Sequence, residues 1–185
     1  MNNNKHYALQ DIHIINVSKN SGLKTLFSPL RVDFLVGRVN GEVKSTEKMT
    51  TLNKNISVGI IGAGAMGSGI AQVAAMAGHN VVVFDTNTSA LQKSESALAV
   101  TLEKLVAKGK LADTKSISDK FTYASDLAAF AGCGLIIEAI IENLDIEKKV
   151  FADVEKAVSE TCVLATNTSS LSVTSIAAAC TKANR

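Results

Sequence analysis

From about residue 56 onward the chain alternates between short apolar segments and longer amphipathic ones. The first apolar segment, residues 56–61, is rich in β-branched side chains, which predicts a strand buried on both faces. From Met66 the apolar positions recur at helical intervals, so a helix is expected to follow. Its predicted buried face comprises Met66, Ile70, Val73, Ala74 and Ala77.

The alternation continues to the end of the chain. Further strands are predicted over residues 81–84, 121–123, 134–139 and 162–165. The last of them leads through a polar turn into a helix that begins at Ser172. Strands that alternate with helices at this spacing predict an α/β fold, a doubly wound parallel sheet with helices on both faces.

The helices between these strands are predicted from their caps and apolar spacing. The longest is expected to follow a cap at Thr88 or Ser89 and to end at about Lys108. A short alanine-rich helix is predicted after Asp126. The next helix is expected to be capped by Asp145 and to bury a face formed by Ile146, Val150, Val154 and Val158.

The turn between the first strand and its helix has the spacing G-x-G-x-x-G, at Gly62, Gly64 and Gly67. The first glycine permits a tight turn, the second lets a phosphate approach the backbone, and the third lets the helix lie close to the strand. The N–H groups at the start of the helix, with its dipole, favour a pyrophosphate there. An incidental glycine turn is the alternative, but the flanking strand and helix favour a dinucleotide site.

An acidic residue follows the second predicted strand. Asp85 lies 18 residues after Gly67, near the spacing at which a carboxylate accepts the hydroxyls of an adenosine ribose. A carboxylate there repels a 2′-phosphate, and Thr86 and Asn87 follow it rather than an arginine, so NAD is favoured over NADP. FAD, which uses the same glycine fingerprint, is the runner-up. Capping the next helix is the structural alternative for Asp85.

Residues 1–53 differ from the rest of the chain. They hold the only proline, Pro29, and Asn40-Gly41 between two valines predicts a hairpin. We therefore expect an N-terminal extension over residues 1–53 and an incomplete dinucleotide-binding domain over residues 54–185. A start at Met49 would lead directly into the first strand, so the interpretation of residues 1–48 as an artefact of the reading frame stays open.

Composition narrows the class of protein. Of the 185 residues, 46% are apolar and 19% charged, which is typical of a globular domain. Residues 1–48 hold seven Lys and Arg against four Asp and Glu, and the remainder holds twelve against thirteen, so the body has no nucleic-acid footprint. No apolar run approaches the roughly 18 residues of a membrane span. The three widely spaced cysteines form neither a metal pattern nor a disulfide framework, which favours a cytoplasmic location.

Four sequence blocks resemble the NAD-binding domain of the 3-hydroxyacyl-CoA dehydrogenases, including the 3-hydroxybutyryl-CoA dehydrogenase branch. They are residues 62–72, Gly78-His79, residues 138–144 and residues 167–171. The resemblance runs from about Ile56 to the C-terminus. It implies a Rossmann-type fold, NAD as the cofactor, and oxidation of the 3-hydroxyl of a fatty acyl-CoA to a ketone.

The resemblance implies a cofactor role for residues at matching positions. The pyrophosphate would be held by Gly62, Ala63, Gly64, Ala65, Met66 and Gly67. Asp85 would hold the adenosine ribose, and Glu142 would lie near the nicotinamide. Glu147 stands where the family commonly has a lysine that contacts the cofactor. Either Lys148 substitutes for that lysine or cofactor affinity is weaker than usual.

The resemblance also implies substrate contacts. Ser169 would hydrogen-bond the substrate oxygen, as the catalytic residue present in this chain. Thr101 and Lys108 match positions that contact CoA, with Lys108 serving as a point charge for phosphate. Asp85, Glu142 and Ser169 each follow the carboxyl end of a predicted strand, where ligands of open α/β sheets bind. The structural alternatives are a surface ion pair for Glu142 and a turn or cap for Ser169.

Part of the family pattern is missing. In the family, a catalytic histidine follows shortly after the position of Arg185, and a later all-helical domain builds the acyl pocket and the homodimer. His6, His13 and His79 do not match that histidine, and His79 is expected in a solvent-exposed turn. Because hydride transfer needs a general base, the chain is expected to bind NAD but to turn over 3-hydroxyacyl-CoA poorly.

Three other interpretations stay open at this point. One is another NAD-dependent dehydrogenase, of the 3-hydroxyisobutyrate or 6-phosphogluconate type, against which the polar turn at residues 167–170 argues. The second is a non-catalytic module that senses a nucleotide or binds a partner. The third is a fragment of a flavoprotein.

Overall fold

The computed structural model describes residues 53–183 of the chain. The predicted N-terminal extension, with its hairpin at Asn40-Gly41, lies outside those residues apart from Asn53. The described part contains one parallel sheet in the order β3-β2-β1-β4-β5. The strands are β1 Ser57–Ile61, β2 Val81–Phe84, β3 Phe121–Ala124, β4 Cys133–Glu138 and β5 Val163–Thr166. All five predicted strands are present, and their order is that of the Rossmann fold.

The strands are joined by helices. They are α1 Ala65–Met76, α2 Thr88–Ala107, α3 Lys115–Ser118, a 3-10 helix Leu127–Phe130, α4 Leu144–Ala157 and α5 Val173–Ala177. Two apolar cores form on the two faces of the sheet. One packs α1, α2 and α3 against inward residues such as Ile60, and the other packs the 3-10 helix, α4 and α5 against residues such as Ile61. The predicted doubly wound α/β sheet is therefore confirmed.

The register aligns the carboxyl ends of the four strands β2, β1, β4 and β5. Ile61, the last residue of β1, pairs with Phe84 and with Glu138, the last residues of β2 and β4. Glu138 in turn pairs with Thr166, the last residue of β5. The residues that follow these four strands are consequently brought to one edge of the sheet.

Two predicted helix caps are wrong. Asn87, not Thr88 or Ser89, caps α2, because its side chain accepts hydrogen bonds from the N–H groups of Ser89 and Ala90. Asn143, not Asp145, caps α4 in the same way. Asparagine, serine and aspartate all satisfy the free N–H groups of a first turn, so the sequence alone did not distinguish between neighbouring candidates.

The predicted buried faces of two helices are rotated from those observed. In α1, Met66 is 46% exposed, and the buried residues are Gly67, Ile70, Ala71, Ala74 and Ala75. In α4, Ile146 is 40% exposed, and the buried residues are Glu147, Phe151 and Val154. In both helices the true face includes a residue that a hydrophobicity pattern omits, a glycine in one and a glutamate in the other.

His79 is buried rather than exposed. Its side chain is 2% exposed, and its Nδ1 lies 2.9 Å from the carbonyl oxygen of Ile56, to which it donates a hydrogen bond. His79 follows Gly78, which has a φ of 106° and reverses the chain after α1. The histidine therefore ties the turn before β2 to the start of β1 and faces away from the carboxyl ends of the strands.

Candidate functional site

The glycine turn between β1 and α1 requires glycine at two of its three positions. Gly62 has a φ of 105°, and a Cβ there would lie 2.6 Å from the carbonyl oxygen of Ala139. A Cβ on Gly67 would lie 1.8 Å from the carbonyl oxygen of Gly62. Gly64 differs, since a Cβ there would meet no atom within 4 Å. Packing explains the outer glycines, whereas the middle one leaves open space at the mouth of the turn.

The start of α1 faces that open space. Gly64 is the N-cap, no side chain caps the helix, and its first turn carries no acidic residue. Gly64, Ala65 and Met66 are exposed. The N–H groups of a first helical turn have no partner within the helix, and together with the helix dipole they attract an anion. This region therefore fits the pyrophosphate of a dinucleotide.

Asp85 joins the end of β2 to the glycine turn. Its Oδ2 accepts a hydrogen bond of 2.9 Å from the N–H of Ala63, and its Oδ1 accepts one of 2.8 Å from the N–H of Asn87. A carboxylate has about four acceptor positions, so these two bonds leave capacity for the hydroxyls of a ribose. The structure thus brings Asp85 beside the glycine turn, as the spacing predicts, and the residue that caps α2 is Asn87 rather than Asp85.

Glu142 and Ser169 also lie together, after β4 and β5. Glu142 Oε1 accepts hydrogen bonds of 3.4 Å from both the N–H and the Oγ of Ser169, and its Oε2 accepts one of 2.7 Å from Ser170 Oγ. The bond from Ser170, then that from the Ser169 backbone, lower the pKa of the Glu142 carboxyl. Glu142 therefore organises the serine turn rather than forming the surface ion pair considered above. Ser170 was not among the predicted site residues.

A buried carboxylate lies beneath this turn. Glu138, at 2% exposed, accepts hydrogen bonds of 2.6 Å from the N–H of Ile140 and from Thr166 Oγ1. Thr166 Oγ1 also accepts one of 3.1 Å from the N–H of Thr168. This network fixes the loops that carry Glu142 and Ser169. The signal that points to it is a glutamate at the end of an otherwise apolar strand, which is rarely buried without partners.

Glu147 lies in the first turn of α4 and is 1% exposed. Burial, then the charges of Glu138 and Glu142, raise the pKa of its carboxyl to about 7. Its Oε2 has no hydrogen-bond partner. A direct contact between Glu147 and the cofactor stays a prediction, because its carboxyl is enclosed rather than displayed at the surface.

A cleft of about 560 Å³ extends from the glycine turn between α1 and α2. Thr101 lies on its wall, with Lys93 and Gln72. At its head the hydroxyls of Ser68 and Ser94 are 2.8 Å apart. Lys108 follows the C-terminal end of α2, is exposed, and does not line this cleft. The structure therefore brings Thr101, but not Lys108, to the space beside the glycine turn.

Between residues 53 and 183, no three metal-ligating side chains converge into a possible ion site. None of the helices in that range combines the length and apolar character needed to cross a membrane.

Comparison with known families agrees with this geometry. The model of the 3-hydroxyacyl-CoA dehydrogenase NAD-binding domain matches residues 57–185. A probable 3-hydroxyacyl-CoA dehydrogenase of Caenorhabditis elegans is 43% identical over 143 residues, which cover 72% of this chain and 46% of that protein. A probable 3-hydroxybutyryl-CoA dehydrogenase of Deinococcus radiodurans is 42% identical over 122 residues, covering 65% of this chain and 44% of that protein.

Solved structures show the same relationship. The 3-hydroxybutyryl-CoA dehydrogenase of Escherichia coli is 36% identical with a TM-score of 0.68, and the match covers 71% of this chain and 28% of that one. The chain spans less than half the length of the curated relatives named above. The fold, the resemblance and NAD as the cofactor are confirmed. The chain belongs to the 3-hydroxyacyl-CoA dehydrogenase family, and residues 57–185 match the NAD-binding domain of that family.

Proposed function

We propose that this chain supplies the NAD-binding part of an enzyme that oxidises (S)-3-hydroxyacyl-CoA to 3-oxoacyl-CoA in fatty-acid or related acyl-CoA metabolism. One observation carries the proposal: the register of β1, β2, β4 and β5 places the glycine turn, Asp85, Glu142 and Ser169 along a single edge of the sheet. In an open α/β sheet this edge is where ligands bind.

The protein's part in cofactor binding follows from that edge. Asp85 would accept the hydroxyls of the adenosine ribose, and the N–H groups at the start of α1 would hold the pyrophosphate. The rest of the dinucleotide would then cross β1 toward Glu142 and Ser169. Bound NAD⁺ supplies the hydride acceptor.

Ser169 would position the substrate. Its bond to Glu142 is long, at 3.4 Å, whereas Ser170 makes the short bond of 2.7 Å to the same carboxylate. The short bond from Ser170 therefore holds the turn, and we expect the weakly bonded Ser169 hydroxyl to turn from Glu142 and donate to a substrate oxygen. A serine is no general base at neutral pH, so another group must accept the proton of the substrate hydroxyl, and the family resemblance implies a histidine for that role.

The substrate's CoA part would reach α2. Thr101 lies on the cleft that starts at the glycine turn, which supports its proposed contact with CoA. Lys108 stands one turn or more beyond the cleft, where an exposed cation would attract a phosphate without enclosing it. The homodimer and the acyl pocket implied by the resemblance belong to the helical domain of the family, so both stay predictions.

The binding of acetoacetyl-CoA to the NADH-loaded chain tests the proposal without requiring turnover. We expect Ser169→Ala to weaken that binding about tenfold, because about 1.4 kcal/mol of hydrogen bonding is lost. Ser118→Ala, at an exposed position on α3, is the matched control. Equal affinities in the wild type and Ser169→Ala would instead support a non-catalytic nucleotide-binding module, and a yellow protein would support a flavoprotein.

A cytoplasmic location is part of the proposal. Cys133 and Cys162 lie in one apolar core, and burial raises the pKa of the Cys133 thiol to about 11, which is typical of an inert structural cysteine. A relative from Homo sapiens, 40% identical over 137 residues, is named as mitochondrial. Fractionation of cells followed by detection of the native protein decides between the two compartments.

A further inference from the structure

Glu147 is an unusual residue for the interior of this fold. It is 1% exposed, it lies in the first turn of α4, and its Oε2 has no hydrogen-bond partner. Glutamate is almost never fully buried unless it is paired. Burial disfavours the ionised form of such a carboxyl, and a nearby positive charge favours its ionisation.

The charged groups around Glu147 are both acidic. Glu138, at the end of β4, and Glu142, in the loop before α4, act on its carboxyl. The elements β5, α5 and the 3-10 helix share an apolar core with α4 and contain no ionisable side chain. Lys148 and Lys149 follow on α4 itself, at positions one and two residues on, which do not share a helix face with Glu147. A positive charge close to the Glu147 carboxyl would therefore have to come from a ligand.

The geometry of the site would bring the positively charged ring of a bound cofactor toward Glu147. Asp85 and the glycine turn fix the adenosine half of a dinucleotide at β2 and β1, so the nicotinamide half extends toward the ends of β4 and β5. There the loop residues Ala139 and Ile140 touch the glycine turn, as the crowding at Gly62 shows. Oxidised nicotinamide carries a positive ring, and reduced nicotinamide does not. The two redox forms of the cofactor thus differ in charge near the group of three carboxylates.

We propose that Glu147 links proton release to the choice between oxidised and reduced cofactor: it is protonated in the free protein and ionises when NAD⁺ binds, but not when NADH binds. The inference rests on the proposed function, in which the nicotinamide lies near Glu142. The bound species balance, since NAD⁺ and the protonated protein give the complex and one free proton. Above neutral pH the proton is already gone, and NAD⁺ gains affinity relative to NADH.

The coupling between Glu147 ionisation and cofactor binding favours NAD⁺ over NADH as the pH rises. Ionisation of Glu147 in the complex is favoured by the ring and is opposed in the free protein by burial and by two like charges. Each unit by which NAD⁺ lowers the pKa of this carboxyl raises the affinity ratio of NAD⁺ to NADH tenfold at high pH. A shift of one unit, with a free-protein pKa of about 7, gives a ratio that rises about fivefold from pH 6 to pH 8. The pyrophosphate is common to both cofactors and cancels in the ratio.

The experiment is a calorimetric titration of the full chain with NAD⁺ and with NADH at pH 6, 7 and 8. We expect the affinity ratio to rise three- to tenfold over this range, and Glu147→Gln to make it flat. Asp145→Asn, an exposed acid in the same first helical turn, is the control and keeps the dependence. A flat ratio in the wild type, or an unchanged slope in Glu147→Gln, overturns the proposal.

A second measurement needs no variant. Titrations at pH 7 in buffers of different ionisation enthalpy count the protons released on binding. We expect about 0.3 to 0.5 proton for NAD⁺ and none for NADH. Equal proton counts for the two cofactors overturn the inference. The proposed function fails separately, since neither cofactor would then bind at any pH.

Discussion

The carboxylate of Asp85 accepts a hydrogen bond of 2.9 Å from the backbone N–H of Ala63, which ties the end of β2 to the glycine turn after β1. The two residues are 22 positions apart in the chain. The bond means that the group expected to bind the ribose also holds the loop expected to bind the pyrophosphate. Removing Asp85 is therefore expected to weaken the binding of both the ribose and the pyrophosphate.

Asp85→Ala is expected to weaken NADH binding about 10- to 100-fold, because charge-assisted hydrogen bonds of about 1.5–3 kcal/mol are lost. The substitution should also reduce the preference for NAD over NADP, because removing the carboxylate removes the repulsion of a 2′-phosphate. Calorimetric titration with NADH and NADPH measures both effects. Glu103→Ala, an exposed acid on α2, serves as the control. Unchanged affinity in Asp85→Ala would contradict a ribose role.

Alanine substitutions of Gly64 and Gly67 are expected to differ in their effects on stability and on NADH binding. Gly67→Ala places a methyl group 1.8 Å from the Gly62 carbonyl oxygen, so the fold itself should lose stability, by about 3 kcal/mol or more. Gly64→Ala meets no atom and should leave stability within about 0.5 kcal/mol of the wild type. It should still weaken NADH binding, because the methyl group occupies the approach of the phosphate.

Thermal unfolding and NADH titration together separate these two effects. Gly132→Ala, where a Cβ also meets no atom within 4 Å, is the control and should change neither property. A Gly64→Ala variant with wild-type NADH affinity would show that the open space at the turn is not the phosphate site.

Because the pKa of the Glu147 carboxyl is raised, we expect the free energy of unfolding to fall as the pH rises. Its pKa in the folded chain is about 7, against an ordinary value of 4.5, so the folded state binds more protons than the unfolded state between these values. Unfolding free energy is then lost progressively from about pH 4.5 to pH 7 and levels off above. Glu147→Gln should be more stable than the wild type at pH 8, by about 3 kcal/mol, and nearly equal to it at pH 4.5.

Urea unfolding of the two proteins across this pH range measures the difference. A constant gap between the two curves would show that the variant acts through packing rather than through loss of a buried charge.

The hydrogen bond from Thr166 to Glu138 is expected to stabilise the fold at the end of β5. Thr166→Val removes the hydroxyl that donates to Glu138 Oε2, and it leaves a buried carboxylate oxygen without that partner. We expect a loss of about 1–3 kcal/mol in unfolding free energy. Thr122→Val, the same change at an exposed position of β3, should stay within about 0.5 kcal/mol. Similar losses in both variants would point to strand propensity instead.

Local patterns were sufficient to predict the sheet and the position of Asp85 beside the glycine turn. The G-x-G-x-x-G spacing and Asp85 act through the backbone within one βαβ unit, so their geometry depends on residues close in sequence. The exposure of Ile146 and the burial of Glu147 were not predicted, because they depend on which side of α4 meets the sheet. A hydrophobicity pattern does not identify the polar residues that are buried in that interface.

The network at the ends of β4 and β5 was hidden for a related reason. Glu138 and Thr166 are 28 residues apart and meet only through the register of two strands. The same holds for Ser170 and Glu142, which join loops from those strands. Ser169 and Glu142 were each predicted to follow the carboxyl end of a strand, but their contact was not predicted, because it depends on how two loops far apart in sequence meet.

Calorimetric titration of the full chain with NADH is the decisive test of whether the glycine turn and Asp85 hold NAD. We expect one saturable site per chain, with a dissociation constant on the order of micromolar, corresponding to about 8 kcal/mol of binding free energy. The absence of saturable binding at millimolar NADH, in protein shown to be folded, would contradict it.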